Sequence, residues 1–171
     1  TTKPSRKKAA GETKDRGVAL VTAYREQECP RFQPIAVEEA FSVELPDVPV
    51  PIIGYLDLVG RPVAAAFTVD AEQEPLRIVD RKTSARTTKT PNADWRVQAG
   101  VYMLHRWLPH EWHLSVKTKE PKIVTPLTEP GLVLKPSPLL RHQIVMQLAH
   151  VVRQIAWCYQ TFGPDETWPG A

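Results

Sequence analysis

Leu76-Arg77-Ile78-Val79-Asp80-Arg81-Lys82 is the stretch that decides how this chain is read. An apolar, partly β-branched run ends in an aspartate, one spacer and a lysine. Residues i and i+2 of a strand share a face, so Asp80 and Lys82 point to one side and Arg81 to the other. Upstream, a second acid, Asp57, closes the apolar run PIIGYLD at 51–57. Aspartate is a poor strand former and costly beside a core. Two of them at the ends of hydrophobic strands, one sharing its face with an ammonium, fit a site for a divalent cation and a polarised phosphate. Hard cations take carboxylate oxygens, and a neighbouring lysine can orient a water or steady developing negative charge. The competing account of the same residues is a solvated strand end carrying a surface ion pair.

The surroundings add to this pattern. Ile52, Ile53, Tyr55 and Leu56 make the segment before Asp57 a half-buried strand, with Gly60-Arg61-Pro62 read as its turn. In WRVQAGVYML at 95–104, Gln98 and Tyr102 stand at i and i+4, one turn apart on one helical face. The order is strand with Asp, strand with Asp-x-Lys, then helix with Gln-x-x-x-Tyr, all between residues 57 and 102.

That order resembles the PD-(D/E)XK nuclease superfamily, specifically its RecB-like branch, which includes many phage exonucleases. The resemblance is carried by GYLD at 54–57, VDRKTS at 79–84 and QAGVY at 98–102, with weaker echoes in VEEAF at 37–41 and VKTKEPKIV at 116–124. It implies an α/β fold with a restriction-endonuclease-like core, a central mixed β-sheet flanked by helices. It implies hydrolysis of DNA phosphodiesters with Mg²⁺ or Mn²⁺, most simply by an exonuclease of DNA recombination, repair or phage replication. Carried over residue by residue, Asp57, Asp80 and the backbone carbonyl of Arg81 would hold the metal. Lys82 would position or activate the attacking water, and Gln98 and Tyr102 would complete the catalytic set beside it. The expected partners are DNA and a recombination or replication protein, with no membrane.

The chain departs from the branch in two places. Its opening, TTKPSRKKAAGETKDRG, contains no constellation like the one through which an N-terminal helical region usually adds a His or Glu to the metal site. It also stops at Ala171, after TFGPDETWPGA, where many relatives begin an iron–sulfur cysteine cluster; a piece of a longer protein and a minimal member both fit. Two further readings therefore stand beside the nuclease. One is a catalytically weak or inactive PD-(D/E)XK domain that binds DNA within a larger assembly. The other is a non-enzymatic α/β interaction module whose acids are surface ion-pair partners.

Composition fits one intracellular domain. The 171 residues suffice for one substantial core, and no apolar run of membrane-spanning length or secretory signal is present. Cys29 and Cys158 are far apart and without metal-ligand spacing, which points to a reducing compartment, here the cytoplasm of a bacterium or a phage-infected host. A net charge of +3 excludes a histone-like binder. Basic residues nonetheless gather at Lys3, Arg6, Lys7, Lys8, Lys14 and Arg16, and again at Arg81, Lys82, Arg86 and Lys89.

Residues 1–17 read as a flexible basic segment and 18–171 as a single nuclease-like domain. A helix is expected from Val18 to Glu28, stopped by Pro30. In IAVEEAFSVEL at 35–45, period two places Ile35, Val37, Phe41, Val43 and Leu45 on one face. Glu39 falls on that face, whereas the family spacing to Phe41 favours Glu38, and the choice stays open. Strands are expected at 50–59, 63–69 and 76–82. The loop TSARTTKTPNAD would lie at the mouth of the site, with Thr83, Ser84, Arg86 and Lys89 meeting phosphate oxygens. A helix capped by Asn92 should run to about Leu108, followed by strands in WHLSVKT and KIVTPL. PGLVLKPSP reads as a linker. A helix from Pro138 to about Phe162 should bury Leu139, Leu140, Ile144, Val145, Leu148, Val151, Val152 and Ile155. His105, His110 and His113 lack the helical i, i+4 spacing of a zinc pair, and His142 and His150 have no acid in register; all five are set aside as ligands.

Overall fold

A computed structural model of the chain describes residues 6–46, 48, 50–63, 76–118 and 120–163. Among these residues three α-helices and six strands follow in the order α1 (Arg6–Gln27), β1 (Phe32–Val43), β2 (Ile52–Pro62), β3 (Arg77–Ser84), α2 (Ala93–His105), β4 (His110–Val116), β5 (Lys122–Val124), β6 (Val133–Leu134) and α3 (Pro138–Phe162). The strands form one mixed sheet in the order β1-β2-β3-β4-β5, with β6 paired to β4. β1, β2 and β3 are antiparallel neighbours, whereas β3 and β4 are parallel, joined by α2 as the crossover. The α/β class expected from the sequence, a mixed sheet flanked by helices, is the one observed. No helix among the described residues is long and apolar enough to cross a membrane.

Local chemistry explains most boundaries. The Asn92 side chain accepts a hydrogen bond from Trp95 N at 2.9 Å and caps α2 as expected. This helix ends at His105 rather than near Leu108, because Pro109 disfavours helical backbone just before it and Arg106 is already extended. Ser137 caps α3, accepting from Leu140 N at 3.1 Å, and Pro138 takes the first turn, where its missing N–H costs nothing. α1 reaches back to Arg6, well before Val18, so residues 6–17 are helical.

Three further expectations change. Gly60-Arg61-Pro62 continues β2 instead of turning, with Gly60 opposite Pro34 and Arg77 and Pro62 opposite Phe32. PGLVLKPSP contains a 3₁₀ turn at Pro130–Leu132 and strand β6, so it is part of the sheet rather than a plain linker. α3 buries only Ile144 and Ala149; Leu139, Val151 and Ile155, expected in the core, are 67%, 43% and 49% exposed. The strand expected over 63–69 and the Trp168 segment lie, from residues 64 and 164 onward, outside the described residues.

β4 lies between β3 and β5 and is buried along nearly its whole length, as a central strand covered on both faces should be. α2 covers one face: Val101, Tyr102 and Met103 pack with Phe41, Leu56, Val59 and Ile78. α3 lies over α2 at Gly100, where an added Cβ would come within 2.4 Å of Ile144 Cδ1. The N-terminal helix contacts the other face, where the Tyr24 hydroxyl meets His113 Nδ1 at 3.0 Å.

The pleat is broken in β1 and β2. Leu56 and Val59 share one core cluster although they are three residues apart, and so do Ala36 and Phe41, five apart. Residues an odd number apart on a regular strand face opposite sides. Each strand therefore reverses its faces once, β2 at Asp57–Leu58 and β1 between Ala36 and Phe41. Glu38, the described non-glycine residue with positive φ, at 51°, sits within that stretch and opposite Asp57. This reversal, with the register shift between Pro34 and Ala36, is why Ile35 and Val37 are exposed while Ala36 packs inward.

Candidate active site

β2 and β3 are paired only from Leu58↔Val79 to Gly60↔Arg77. Just beyond the last pair, one strand offers Asp57 and the other Asp80. Asp57 turns its carboxylate toward the β3 backbone, where Oδ2 accepts the Arg81 amide at 3.1 Å. Asp80, 2% exposed, stays on the α2 side, as does Lys82, two residues on. The Lys82 ammonium lies 2.8 Å from Asp80 Oδ2 and donates to Gln98 Oε1 at 2.7 Å. Gln98 Nε2 in turn donates to the Tyr102 hydroxyl at 2.7 Å. Asp57, Asp80, Lys82, Gln98 and Tyr102 thus form one connected group.

The electrostatics follow from this packing. Burial pushes the Asp80 carboxyl up to about 6; the Lys82 hydrogen bond and charge pull it down, and Asp57 pushes it up again by charge and hydrogen bond. Burial also raises the Tyr102 hydroxyl, helped by the negative charge of Asp80 and opposed by its bond to Gln98. Tyr102 is therefore a neutral hydroxyl that fixes the Gln98 amide, whose oxygen faces Lys82.

The remaining sequence candidates are placed less uniformly. Thr83 joins Asp57, Glu38 and Arg81 in lining a cleft of about 650 Å³ between α1 and the sheet. Arg16, Arg25 and Lys117 border it, and the Arg81 guanidinium lies 5.9 Å from the centre of the Tyr24 ring. Ser84 turns back on the chain, its Oγ donating to Arg86 O at 2.7 Å and accepting from Arg86 N. The Arg86 and Lys89 side chains are exposed. Tyr24, raised to about 12 chiefly by burial, is a cleft residue that sequence reading missed, since α1 carried no motif. Glu38 and Glu39, between which the sequence leaves the choice open, lie in different places. Glu38 lines the cleft beside Asp57, while Glu39 accepts from Arg106 Nε and Nη2 at 2.7 and 2.9 Å and meets His105 at 3.0 Å. The histidines are dispersed: His105 on Glu39, His110 beside Asp80, and His113 between Tyr24 and Glu111.

Among the described residues, no group of three or more His, Cys, Asp or Glu side chains is arranged to hold a metal ion. The group around Asp80 still suits a hard cation. Asp80 Oδ2 is buried without a well-formed hydrogen bond, and two adjacent carboxylates repel. Mg²⁺ commonly keeps several waters and takes one or two protein carboxylates.

The family model of the PD-(D/E)XK nuclease superfamily matches residues 2–113, and the chain belongs to that superfamily. The superfamily is one of nucleases, which generally use divalent metal ions. The matched region runs from α1 into β4 and contains Asp57, Asp80, Lys82, Gln98 and Tyr102. No curated protein sequence matches the chain. Among solved structures, the crystal structure of SSO0001 is similar at 13% identity and a TM-score of 0.45, over 86% of this chain and 61% of that one. The chain therefore spans less than two thirds of that structure.

Proposed function

We propose that this chain is a Mg²⁺- or Mn²⁺-dependent deoxyribonuclease, and that it acts as an exonuclease. One observation carries the reading: Asp57 and Asp80 converge where β2 and β3 part, with the Lys82 ammonium held beside them by the Gln98–Tyr102 pair. Asp57, Asp80 and the Arg81 carbonyl would hold the ion. A divalent ion bound there would polarise the phosphate and lower the pKa of a bound water. Lys82 donates a hydrogen bond to the attacking water or to a nonbridging phosphate oxygen and so steadies negative charge as the water oxygen bonds to phosphorus and the bond to the leaving oxygen breaks. Gln98 fixes where that ammonium points. The basic border of the cleft, Arg16, Arg25, Arg81 and Lys117, suits the phosphate backbone on its way to the acids. The exonuclease assignment is supported by the motif order, which resembles the RecB-like branch and its roles in recombination, repair or phage replication.

The test compares wild type with Asp80→Ala and Lys82→Ala on linear and circular DNA, with Mg²⁺, with Mn²⁺ and with EDTA. Metal-dependent loss of linear DNA by wild type alone is expected, with both variants folded by melting temperature. Equal cleavage by wild type and Asp80→Ala sinks the mechanism. The small number of side-chain ligands among the described residues favours a second reading, a weak or inactive domain that binds DNA within a larger assembly. Salt-sensitive DNA binding without cleavage by any of the proteins would select it.

A further inference from the structure

His110 opens β4 opposite Ile78, and nothing in the proposed chemistry uses it. Its side chain is fully buried, with its ring 5.8 Å from that of Tyr102 and 4.6 Å from that of Trp112. Neither ring nitrogen has a hydrogen-bond partner. A buried polar atom left unpaired carries a desolvation penalty, and most buried polar groups avoid it. A buried carboxylate oxygen faces the ring: Asp80 Oδ2, whose near cation is Lys82, lies 3.9 Å from His110 Nε2. The gap is about 1 Å longer than a normal N–H···O bond and too short to hold a bridging water. A neutral imidazole has one N–H to give, on one of its two ring nitrogens.

Lys82 is meanwhile engaged with the same oxygen, 2.8 Å from Asp80 Oδ2. The ammonium has three N–H donors, two of them directed at Asp80 and Gln98, and a divalent cation on Asp80 would repel it, so that loading the site would draw it off the buried Oδ2. We propose that His110 is the positioning residue of Asp80: in the loaded site its Nε2–H hydrogen-bonds to Asp80 Oδ2, takes the place of Lys82 there and frees the ammonium for the substrate. The proposal rests on the reading of Asp80 and Lys82 as the hydrolytic centre. An outer partner of this kind orients a ligating carboxylate without touching the metal, and its loss commonly costs 10- to 100-fold in metal affinity or activity.

Two measurements on the full chain test it. The first is nitrogen–proton correlation NMR of the histidine rings in EDTA and in Mg²⁺. We expect His110 as the Nε2–H tautomer, with its ring proton moving downfield on Mg²⁺ addition in wild type and staying put in Asp80→Asn. The second is Mn²⁺ affinity by calorimetry alongside the cleavage parameters of His110→Phe, which keeps a ring without a donor, and His110→Gln, which keeps a donor. His110→Phe should lose about 10- to 100-fold in Mn²⁺ affinity and kcat with KM for DNA unchanged, and His110→Gln should recover part of both. An Nδ1–H tautomer, or a ring signal indifferent to Mg²⁺, overturns the proposal even if His110→Phe fails to fold. Wild-type Mn²⁺ affinity and kcat in a folded His110→Phe overturn it while leaving the nuclease reading intact. A wild type that neither binds Mn²⁺ nor cleaves DNA removes both.

Discussion

β3 and β4 run side by side through seven matched pairs, from Ile78–His110 to Ser84–Val116, without a register shift. β1 and β2 also pair along most of their length, but with a shift after Pro34, a residue at φ 51° and a reversal of both strands' faces around Glu38 and Asp57. The two acids therefore reach one point by opposite means. Asp80 arrives by obeying the pleat, two residues after Ile78 and two before Lys82 on the same face. Asp57 arrives by breaking it, so that its carboxylate turns along the gap between strands and takes the Arg81 amide. A regular strand pair can hold a lysine and an acid at fixed spacing, but it cannot aim a third side chain between two strands. That takes a distortion, and the distortion must be held by the rest of the sheet.

The largest effect should come from weakening what holds the regular side. Lys82 has two partners, Asp80 at 2.8 Å and Gln98 at 2.7 Å, and Gln98 is itself fixed by Tyr102. Gln98→Ala leaves the ammonium to Asp80 alone. Displacing a catalytic group by about 1 Å can cost about a hundredfold, and a drop of that size in kcat is expected with the melting temperature nearly unchanged. Tyr102→Phe, which removes only the outer bond, should cost less. Single-turnover cleavage of linear DNA measures both. A Gln98→Ala variant as fast as wild type would mean that the pleat alone places Lys82.

The next effect sits where the two sides meet. Folded Asp80 has its carboxyl raised from 3.8 to about 6, chiefly by burial. The folded, metal-free protein therefore binds a proton more readily than the unfolded chain. That stabilising contribution is complete below about pH 4 and is lost as pH rises through about 6. That rise corresponds to on the order of 2–3 kcal/mol, an upper figure for a carboxyl that also interacts with Asp57 and Lys82. Urea unfolding in EDTA should show wild type losing stability relative to Asp80→Asn between pH 4 and 6. Saturating Mg²⁺ at pH 7.5 should restore it. Parallel pH profiles for the two proteins would mean that Asp80 is not carrying this strain.

The same contrast explains what could be read from the sequence. Asp80-x-Lys82 and Gln98-x-x-x-Tyr102 were legible because regular strands and helices convert spacing into shared faces, and both lie on regular elements. The assignment of β1 side chains was not legible, because period two assumes an unbroken pleat and Glu38 breaks it; Val37 and Ile35 consequently moved to solvent. The Glu38/Glu39 ambiguity had the same origin. His110 was hidden for another reason: its neighbour Asp80 is 30 residues away and is brought close only by the parallel β3–β4 pairing. The exposed apolar side of α3 was misread because amphipathic spacing shows that a helix has an apolar stripe, not how much of its length meets the core.

The smallest effect tests the distorted side directly. A non-glycine residue at φ 51° costs about 1–2 kcal/mol, and glycine removes that cost while losing about 0.5–1 kcal/mol to its greater freedom in the unfolded chain. Glu38→Gly should therefore stabilise the protein by about 0.5–1 kcal/mol, or about 1–4 °C in melting temperature. Because the reversal survives, Asp57 should stay aimed and cleavage should persist. Glu38→Gln separates charge from strain, since it removes the negative charge beside Asp57 but keeps a side chain at positive φ; it should fall between wild type and Glu38→Gly. Glu38→Val pushes the other way, because a β-branched residue strongly resists this conformation and favours the plain extended one. If β1 straightens to accommodate it, the pleat of β2 loses its matching irregularity and the Asp57 carboxylate no longer reaches the Arg81 amide. Glu38→Val should then lose both stability and metal-dependent cleavage, whereas a Glu38→Val protein as stable and active as wild type would show that Asp57 is aimed by β3 and not by the broken strand opposite it.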